Sequence, residues 1–263
     1  MSAGAGEPRV SVVVPNWNTG PLLRLCLASV LRFQDLPLEL IVVDNGSSDD
    51  SRRTAEAAAE RGLIQLVQRT QSGEEAGARA HGAALDAGLA LARAPYLFTL
   101  DSDAWARGPG WLGRFLVALE GADASHAGAS KFPSSRWQRF GSWLAGRTPG
   151  PETRYVRPCH ALYRVDLLRR LGLSFAPVRD GERALTTGQS IHERLVAAGY
   201  RAAFLPHAEV ERAVGHLRHA TVVLNSAAFP SLKARARRKG ARAVERFLVS
   251  PEAARLLQDT PVA

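Results

Sequence analysis

Two carboxylates one residue apart follow directly after a short apolar run, where Tyr96–Leu100 leads into Asp101-Ser102-Asp103. Carboxylates at the edge of a protein core are costly unless a partner compensates their charge. In an extended segment residues i and i+2 point the same way, so we expect both side chains to address one ligand group. The pair therefore predicts a site that holds a ligand, and a capped structural turn is the alternative.

Two more polar clusters follow strand-like runs. Pro15-Asn16-Trp17-Asn18 comes after the β-branched run Val10–Val14, and its proline is expected to end that strand. Trp17 offers an apolar ring face on which a nucleotide base can stack. The second cluster, Asp44–Asp49, combines turn residues with helix N-cap candidates, so a turn or cap role is the alternative for Asp44.

Strand-like runs alternate with helical patterns through the first 105 residues. The predicted strands are Val10–Val14, Leu38–Val43, Leu63–Gln68 and Tyr96–Leu100. The predicted helices are Pro21–Phe33, Arg52–Arg61 and Gly77–Arg93. This alternation favours an α/β fold with a mainly parallel central sheet flanked by helices. Ligands of such sheets bind outside the carboxyl ends of the strands, which is where all three polar clusters stand.

The second half of the chain is less regular. Its helical patterns are 111–120 and Ile191–Ala198, and VDLLRRLG after Arg164 predicts another helix. Its strand-like runs are Ala127–Phe132, Arg157–Arg164 and Arg201–Leu205. Since no repeat or clean linker divides the chain, we predict a single domain over residues 1–263. Within it we distinguish a nucleotide-binding half (9–105), a second half (106–225) and a basic helical tail (226–263).

Neither the Rossmann fingerprint G-x-G-x-x-G nor a P-loop follows the first strand. PNWN stands there, and with VVDNGSSDD (42–50) and LDSD (100–103) it closely resembles the family 2 glycosyltransferases of the GT-A fold. The resemblance is strong over residues 9–105 and looser over 157–220. It implies a Rossmann-like nucleotide-sugar-binding half and an acceptor-side half. The implied reaction is transfer of a sugar from a nucleotide-diphosphate donor to an acceptor hydroxyl, with inversion, in polysaccharide or glycoconjugate biosynthesis.

The resemblance also implies roles for individual residues. Asp44 matches the residue that accepts a hydrogen bond from the base, and Arg79 matches a position that meets the base or the diphosphate. Asp101 matches the carboxylate near the ribose, and Asp103 matches the ligand of Mg²⁺ or Mn²⁺. Hard oxygen donors suit either ion. The predicted donor-binding residues are Pro15, Trp17, Asn18, Asp44, Arg79, Asp101 and Ser102.

A histidine well downstream is a further metal ligand in many GT-A enzymes. His216 and His219 match that region, and His207 is a nearer alternative. We favour His216, with a solvent-facing or helix-capping histidine as the alternative, so the predicted metal ligands are Asp103, Asp101 and His216. His160 beside Cys159 resembles a metal-binding pair, but we interpret it as a core strand position.

The general base is the point at which this sequence departs from the family. Inverting members use an Asp or Glu at a helix start, where this chain has Gly188-Gln189-Ser190. Neither glutamine nor serine is a general base. The preceding loop offers Asp180, which we favour, and Glu182, while His192 and Glu193 follow it. The departure leaves open a second hypothesis, a non-catalytic nucleotide-sugar-binding or regulatory protein with a glycosyltransferase-like fold.

The stretch Ser134–Glu152 lies where the family forms its acceptor side, and it contains three arginines together with Trp137, Phe140 and Trp143. Aromatic faces suit sugars, and arginines suit phosphate or carboxylate groups. The same pattern suits a membrane interface or plain core packing. We expect the acceptor to be a saccharide, a lipid-linked molecule or another hydroxyl compound.

Composition sets the remaining expectations. The 263 residues carry a net charge of +9, and the run 231–246 concentrates basic residues. Such charge favours anionic partners, including lipid headgroups, and a solvated basic surface is the alternative. The first residues lack the apolar core of a signal peptide, no run reaches membrane-span length, and two distant cysteines suggest no disulfide framework. We expect a cytoplasmic protein, peripheral at the inner face of the membrane, without a specific nucleic-acid partner.

Overall fold

The computed structural model describes residues 7–70, 77–130, 154–180, 183–217, 220–229 and 233–262. The strands are β1 (Val10–Asn16), β2 (Leu38–Asp44), β3 (Gln65–Gln68), β4 (Tyr96–Leu100), β5 (Ala104–Ala106), β6 (His126–Ser130), β7 (Val156–Arg164), β8 (Val178–Asp180), β9 (Arg183–Leu185), β10 (Ala202–Phe204) and β11 (Val214–His216). The helices are α1 (Pro21–Arg32), α2 (Asp50–Glu60), α3 (Ala78–Leu91), α4 (Trp111–Gly121), α5 (Val165–Arg170), α6 (Gln189–Ala197), α7 (His207–Ala213), α8 (Ala220–Leu224), α9 (Ala234–Leu248) and α10 (Pro251–Leu257).

Within the described residues, seven strands form one sheet in the order β10-β6-β7-β4-β1-β2-β3. Neighbouring strands run parallel, except that β7 is antiparallel to both β4 and β6. Two small antiparallel pairs, β5 with β11 and β8 with β9, stand beside it. The predicted α/β fold with a mainly parallel central sheet is confirmed.

Both faces of the central sheet are buried under helices. Successive residues of a strand point to opposite faces, so Val12 and Val14 join one apolar cluster and Val13 joins the other. The first cluster includes residues of α1 and α4, and the second includes residues of α3 and α6. Helix α3 lies so close to β1 that a Cβ on Gly88 would come within 2.3 Å of Val13. Each large apolar side chain that is fully buried at either face contributes about 1.5–3 kcal/mol to the free energy of unfolding, which stabilises this three-layer arrangement.

The carboxyl ends of β1, β2 and β4 meet at one edge of the sheet, because these strands are parallel neighbours. Strand β7 runs the other way, so its middle residue His160 lies opposite Leu100, the last residue of β4, and its first half extends to the edge at which β4 ends. The expectation that the proline ends β1 is wrong, since the strand continues to Asn16. Pro15 lies beyond Val10–Val13, the stretch that pairs with β4, and a residue without an N–H is tolerated there.

The C-terminal helices α9 and α10 pack against the rest of the chain. Helix α9 buries Val244 and Phe247, and the Phe247 ring stacks on Trp105 of β5 at a centroid distance of 3.9 Å. The indole N–H of Trp105 donates a hydrogen bond of 2.8 Å to Glu252 of α10. These contacts hold β5, the strand that directly follows Asp101-Ser102-Asp103. Of the helices described, none has both the length and the apolar character needed to cross a bilayer.

Candidate active site

Asp101 and Asp103 lie in a turn, so the expectation of an extended segment is wrong. The Ala104 backbone N–H donates a hydrogen bond of 2.9 Å to the carbonyl oxygen of Asp101, which is the i to i+3 bond of a β-turn. The turn leads the chain from β4 into β5, and Ser102 within it is buried. The two carboxylates still lie close together, but the turn brings them there and the alternation of a strand does not.

His216 reaches these carboxylates from far along the chain. Strand β11 pairs with β5 so that His216 stands opposite Ala104, and Leu217 N donates to the carbonyl oxygen of Asp103 at 3.0 Å. His216 Nε2 lies 3.0 Å from Asp103 Oδ1 and 3.7 Å from Asp101 Oδ2. The strand pairing thus brings together the three residues that were predicted as metal ligands.

The donor set of Asp101, Asp103 and His216 fits a divalent cation. One donor atom from each side chain lies within 4.8 Å of the others. Asp101 Oδ1 is buried and receives no hydrogen bond from any described residue, and such an acceptor costs free energy unless a ligand satisfies it. Asp103 Oδ2 accepts a hydrogen bond of 3.1 Å from Ala220 N, which fixes the orientation of that carboxylate. Two carboxylates and an imidazole suit Mg²⁺ or Mn²⁺.

The cluster changes the protonation of its members. Burial raises the pKa of Asp101 well above its usual range, and the negative charges of Cys159 and Asp103 add to this effect. Burial would lower the pKa of His216, but its hydrogen bonds to Asp103 and Cys159 outweigh burial and raise that pKa well above the usual range. The raised pKa of His216 favours a proton on its ring beside Asp103. A cation must displace that proton, so we expect metal affinity to rise with pH.

His81 of α3 is a member of this group that sequence reasoning missed. Its Nε2 lies 3.7 Å from Asp101 Oδ1, whereas Arg79, the predicted donor-binding residue two positions earlier, is exposed. Residues i and i+2 of a helix lie on different faces, so both cannot face the aspartates. The signal that could have found His81 is the helical period of α3, on which Leu85, four positions later, is buried.

Cys159 and His160 of β7 also belong to this cluster. Asp101 N donates to the carbonyl oxygen of Cys159 at 3.0 Å, and Cys159 Sγ lies 3.6 Å from His160 Nε2. Burial would raise the pKa of Cys159, but the imidazoles of His160 and His216 outweigh it and lower that pKa well below the usual range. His160 is a buried strand residue, as interpreted from the sequence. It nevertheless lies beside the site, because β7 is antiparallel to β4 and pairs His160 with Leu100, the last residue of β4.

Asn16 organises the ends of β1 and β2, although only its neighbours Pro15, Trp17 and Asn18 were predicted as donor-binding residues. Its Nδ2 lies 2.7 Å from Asp44 Oδ1, 3.0 Å from Ser51 Oγ and 3.1 Å from Ser47 Oγ. Its Oδ1 accepts a hydrogen bond of 2.6 Å from Thr19 Oγ1. Asp44 is 2% exposed and accepts further bonds from Ser47 Oγ at 2.5 Å and from Ser47 N at 3.0 Å. Asp44 thus has the turn role given as its alternative, and its Oδ2 keeps acceptor capacity for a ligand N–H.

Trp17 and Asn18 form the next part of the same edge. Asn18 has a left-handed backbone at φ 49°, and its Oδ1 accepts a hydrogen bond of 2.7 Å from Ser48 N. Asn225, after α8, donates to the carbonyl oxygen of Asn18 at 3.0 Å. The half-buried Trp17 ring meets Phe229 edge to face at a centroid distance of 6.2 Å. The turn after β1 is therefore held on both sides, next to the buried Pro15.

The start of α6, where the family carries its base, lies beside β7. Gly188 has φ 78°, and a Cβ at this position would come within 2.9 Å of the Pro158 ring. Ser190 Oγ is buried without a hydrogen bond to any described residue. His192 Nδ1 lies 2.8 Å from His126 Nε2, and Glu193 accepts a hydrogen bond of 3.0 Å from Gln189. This helix start thus presents no carboxylate at Gly188-Gln189-Ser190.

Several predicted residues fall where the structure gives no description. Asp180 ends β8, but its side chain is not among the described ones. Glu182, His219 and the stretch Ser134–Glu152 with Trp137, Phe140 and Trp143 lie outside the described residues. His207 begins α7 and is not part of the group formed by Asp101, Asp103 and His216.

The sequence model of glycosyl transferase family 2 matches residues 11–172, which is more than half of the chain. This chain belongs to glycosyltransferase family 2. Glycosyltransferase GlyG of Streptococcus pneumoniae is 30% identical over 95 residues, which are 36% of this chain and 30% of that protein. The chain therefore aligns with less than a third of that relative's length.

Solved structures show the same GT-A fold. Mannosyltransferase PcManGT from Pyrobaculum calidifontis, in complex with GDP-Man and Mn²⁺, has a TM-score of 0.56 and 22% identity, covering 95% of this family 2 chain and 79% of that chain. Glucosyl-3-phosphoglycerate synthase from Mycobacterium tuberculosis, in complex with Mn²⁺, UDP and glucosyl-3-phosphoglycerate, has a TM-score of 0.50 and 22% identity. The match covers 81% of this chain and 72% of that chain.

Proposed function

We propose that this protein is a metal-dependent glycosyltransferase that transfers a sugar from a nucleotide-diphosphate donor to an acceptor hydroxyl with inversion. The observation that carries the proposal is the convergence of Asp101, Asp103 and His216 at the sheet edge where β1 and β2 also end. A cation held at this edge would stabilise the charge that develops on a diphosphate leaving group. The structural relatives with GDP-Man or UDP and Mn²⁺ support the same donor class.

The proposed donor site runs along the ends of β1, β2 and β4. Trp17 stacks on the base, Asp44 Oδ2 accepts a hydrogen bond from a base N–H, and Arg79 contacts the base or the diphosphate. Asp101 binds near the ribose and, with Asp103 and His216, holds Mg²⁺ or Mn²⁺. When bound, the cation neutralises charge that develops on the leaving diphosphate.

The acceptor hydroxyl attacks the anomeric carbon from the face opposite the leaving group, which gives inversion. We propose Asp180 as the base that removes the hydroxyl proton, with Glu182 as the second candidate. The short β8–β9 hairpin supports this proposal, because it leads directly into the start of α6. The missing carboxylate at Gly188-Gln189-Ser190 favours the second candidate function, a non-catalytic nucleotide-sugar-binding or regulatory protein.

The basic face of α9 supports a peripheral contact with an anionic membrane. Val244 and Phe247 bury the apolar face of this helix against the protein, so its basic side chains remain exposed. Those are Arg235, Arg237, Arg238, Lys239, Arg242 and Arg246. Each contributes about 1 kcal/mol near an anionic bilayer, which suits a lipid-linked acceptor, while a saccharide or another hydroxyl compound remains the alternative acceptor.

Nucleotide release from UDP-, GDP- and dTDP-sugars in the presence of Mn²⁺ tests the enzymatic function. We expect release with one donor class, and Asp103→Ala should lower it by at least about 100-fold, since loss of metal-assisted charge stabilisation costs several kcal/mol. Asp166→Ala, at a carboxylate that is 66% exposed on α5, is the matched control and should leave release unchanged. Tight nucleotide binding without release from any donor would instead support the non-catalytic protein.

A further inference from the structure

A second group of possible metal ligands, Cys159, His160 and His216, shares His216 with the two aspartates. Donor atoms of Cys159, His160 and His216 all lie within 4.8 Å of one another. Cys159 is 7% exposed and His160 is 9% exposed, and the His160 and His216 rings meet at 86° with centroids 5.6 Å apart. His160 Nδ1 is buried and has no hydrogen-bond partner among the described residues, so one nitrogen of this ring is unsatisfied.

The spacing of the Cys159 and His160 donor atoms matches that of two ligands of a tetrahedral zinc ion. Zinc–sulfur bonds are about 2.3 Å and zinc–nitrogen bonds about 2.0–2.1 Å, so a sulfur and a nitrogen on one tetrahedral ion stand about 3.6 Å apart. The distance from Cys159 Sγ to His160 Nε2 is 3.6 Å. The chemistry agrees, because a thiolate with imidazoles selects Zn²⁺ or Co²⁺, whereas carboxylates select Mg²⁺ or Mn²⁺.

We propose that Cys159, His160 and His216 form a second cation site, for a thiophilic ion such as Zn²⁺, which shares His216 with Asp101 and Asp103. A neutral imidazole has one free lone pair, so His216 ligates a cation in only one of the two sites at a time. Zinc in the second site withdraws His216 from the carboxylate site. The two ligand sets therefore make the protein sensitive to the identity of the divalent ion.

Titration of the reduced, metal-free protein with Co²⁺ tests this site directly by absorption spectroscopy. We expect a thiolate-to-cobalt charge-transfer band that zinc abolishes by displacing cobalt. The band should disappear in Cys159→Ser, and the affinity for Zn²⁺ should fall by at least about 100-fold, since even the loss of an outer hydrogen-bond partner costs 10–100-fold. Cys26→Ala, at the other buried thiol, is the matched control and should keep the band.

Two further variants separate the second site from the carboxylate site. Asp103→Asn should keep the charge-transfer band, because Asp103 is not in the second ligand set, whereas His216→Ala should weaken it. Loss of the band in Asp103→Asn would show one composite site and overturn the proposal. A wild-type cobalt spectrum without a thiolate band would overturn it as well. Circular dichroism of each variant confirms that it is folded, and since no donor sugar is used, the result is independent of glycosyl transfer.

Discussion

We expect that one added methyl group at Gly215 displaces His216, one of the proposed metal ligands. Gly215 stands opposite Trp105 in the pairing of β11 with β5, directly before His216. A Cβ at this position would lie 2.2 Å from Trp105 Cε2 and 2.3 Å from Cζ2. Favourable contacts between carbon atoms are about 3.5–4.0 Å, so Gly215→Ala requires the ring or the strand to move by more than about 1 Å.

The Trp105 ring has little room to move, which sets the magnitude of the effect. It stacks on Phe247 and donates its indole N–H to Glu252. Overpacking of a core costs about 1–3 kcal/mol, and loss of a hydrogen bond to a charged group about 1.5–3 kcal/mol. We therefore expect Gly215→Ala to lower the free energy of unfolding by about 2.5–6 kcal/mol and Tm by at least about 5 °C. Displacement of β11 should also weaken Mn²⁺ binding through His216.

Thermal unfolding and Mn²⁺ binding of purified variants measure both consequences. Gly113→Ala on α4 is the matched control, because a Cβ there meets no atom within 4 Å, and the change should be neutral or stabilising by up to about 1 kcal/mol. In a Trp105→Phe background, the same Gly215→Ala change should cost less, because the clashing indole atoms are gone. Wild-type stability and metal affinity in Gly215→Ala would refute the packing explanation.

Two further predictions concern acid stability and the base. Glu39 is 8% exposed, and burial would raise its pKa, but hydrogen bonds from Ser11 and Arg93 outweigh burial and lower that pKa. Its contribution to the free energy of unfolding is therefore present above the unfolded pKa of about 4.3 and is lost as pH falls through the folded pKa. Glu39→Gln should cost about 1.5–3 kcal/mol at pH 7 and flatten the loss of stability below about pH 4.3 in urea unfolding; an unchanged pH dependence would contradict this. Asp180→Asn should lower kcat by about 10²–10⁴-fold with little change in donor KM, whereas a larger loss in Glu182→Gln would make Glu182 the base.

The first 105 residues could be predicted closely because three of their strands, β1, β2 and β4, are buried on both faces. Continuous apolar runs such as Val10–Val14 and Tyr96–Leu100 bound by polar turn residues have few alternative structures, and each predicted element is present with ends shifted by at most two residues. The proline in β1 was misleading, since a strand tolerates proline where pairing on one side has ended. Local chemistry was therefore sufficient for the elements and for the edge at which they meet.

Contacts across the chain could not be predicted in the same way. Arg79 was predicted from the family resemblance and His81 was missed, because the apolar period of α3 shows which face is buried but not that this face meets the aspartates. Cys159 and His160 were set aside as core residues, because only the antiparallel direction of β7 brings the beginning of that strand to the site.

The sequence by itself determined the α/β fold, the family and the carboxylate pair Asp101 and Asp103, because these depend on local periodicity and on short motifs. The resemblance pointed to His216 as a partner of that pair, but only the tertiary structure decided how His216 reaches it and that His81, Cys159 and His160 lie beside it. His216 lies more than a hundred residues away and reaches Asp103 through the pairing of β11 with β5. Such pairings depend on packing of the whole chain, on contacts such as Trp105 with Phe247, and no local pattern encodes them.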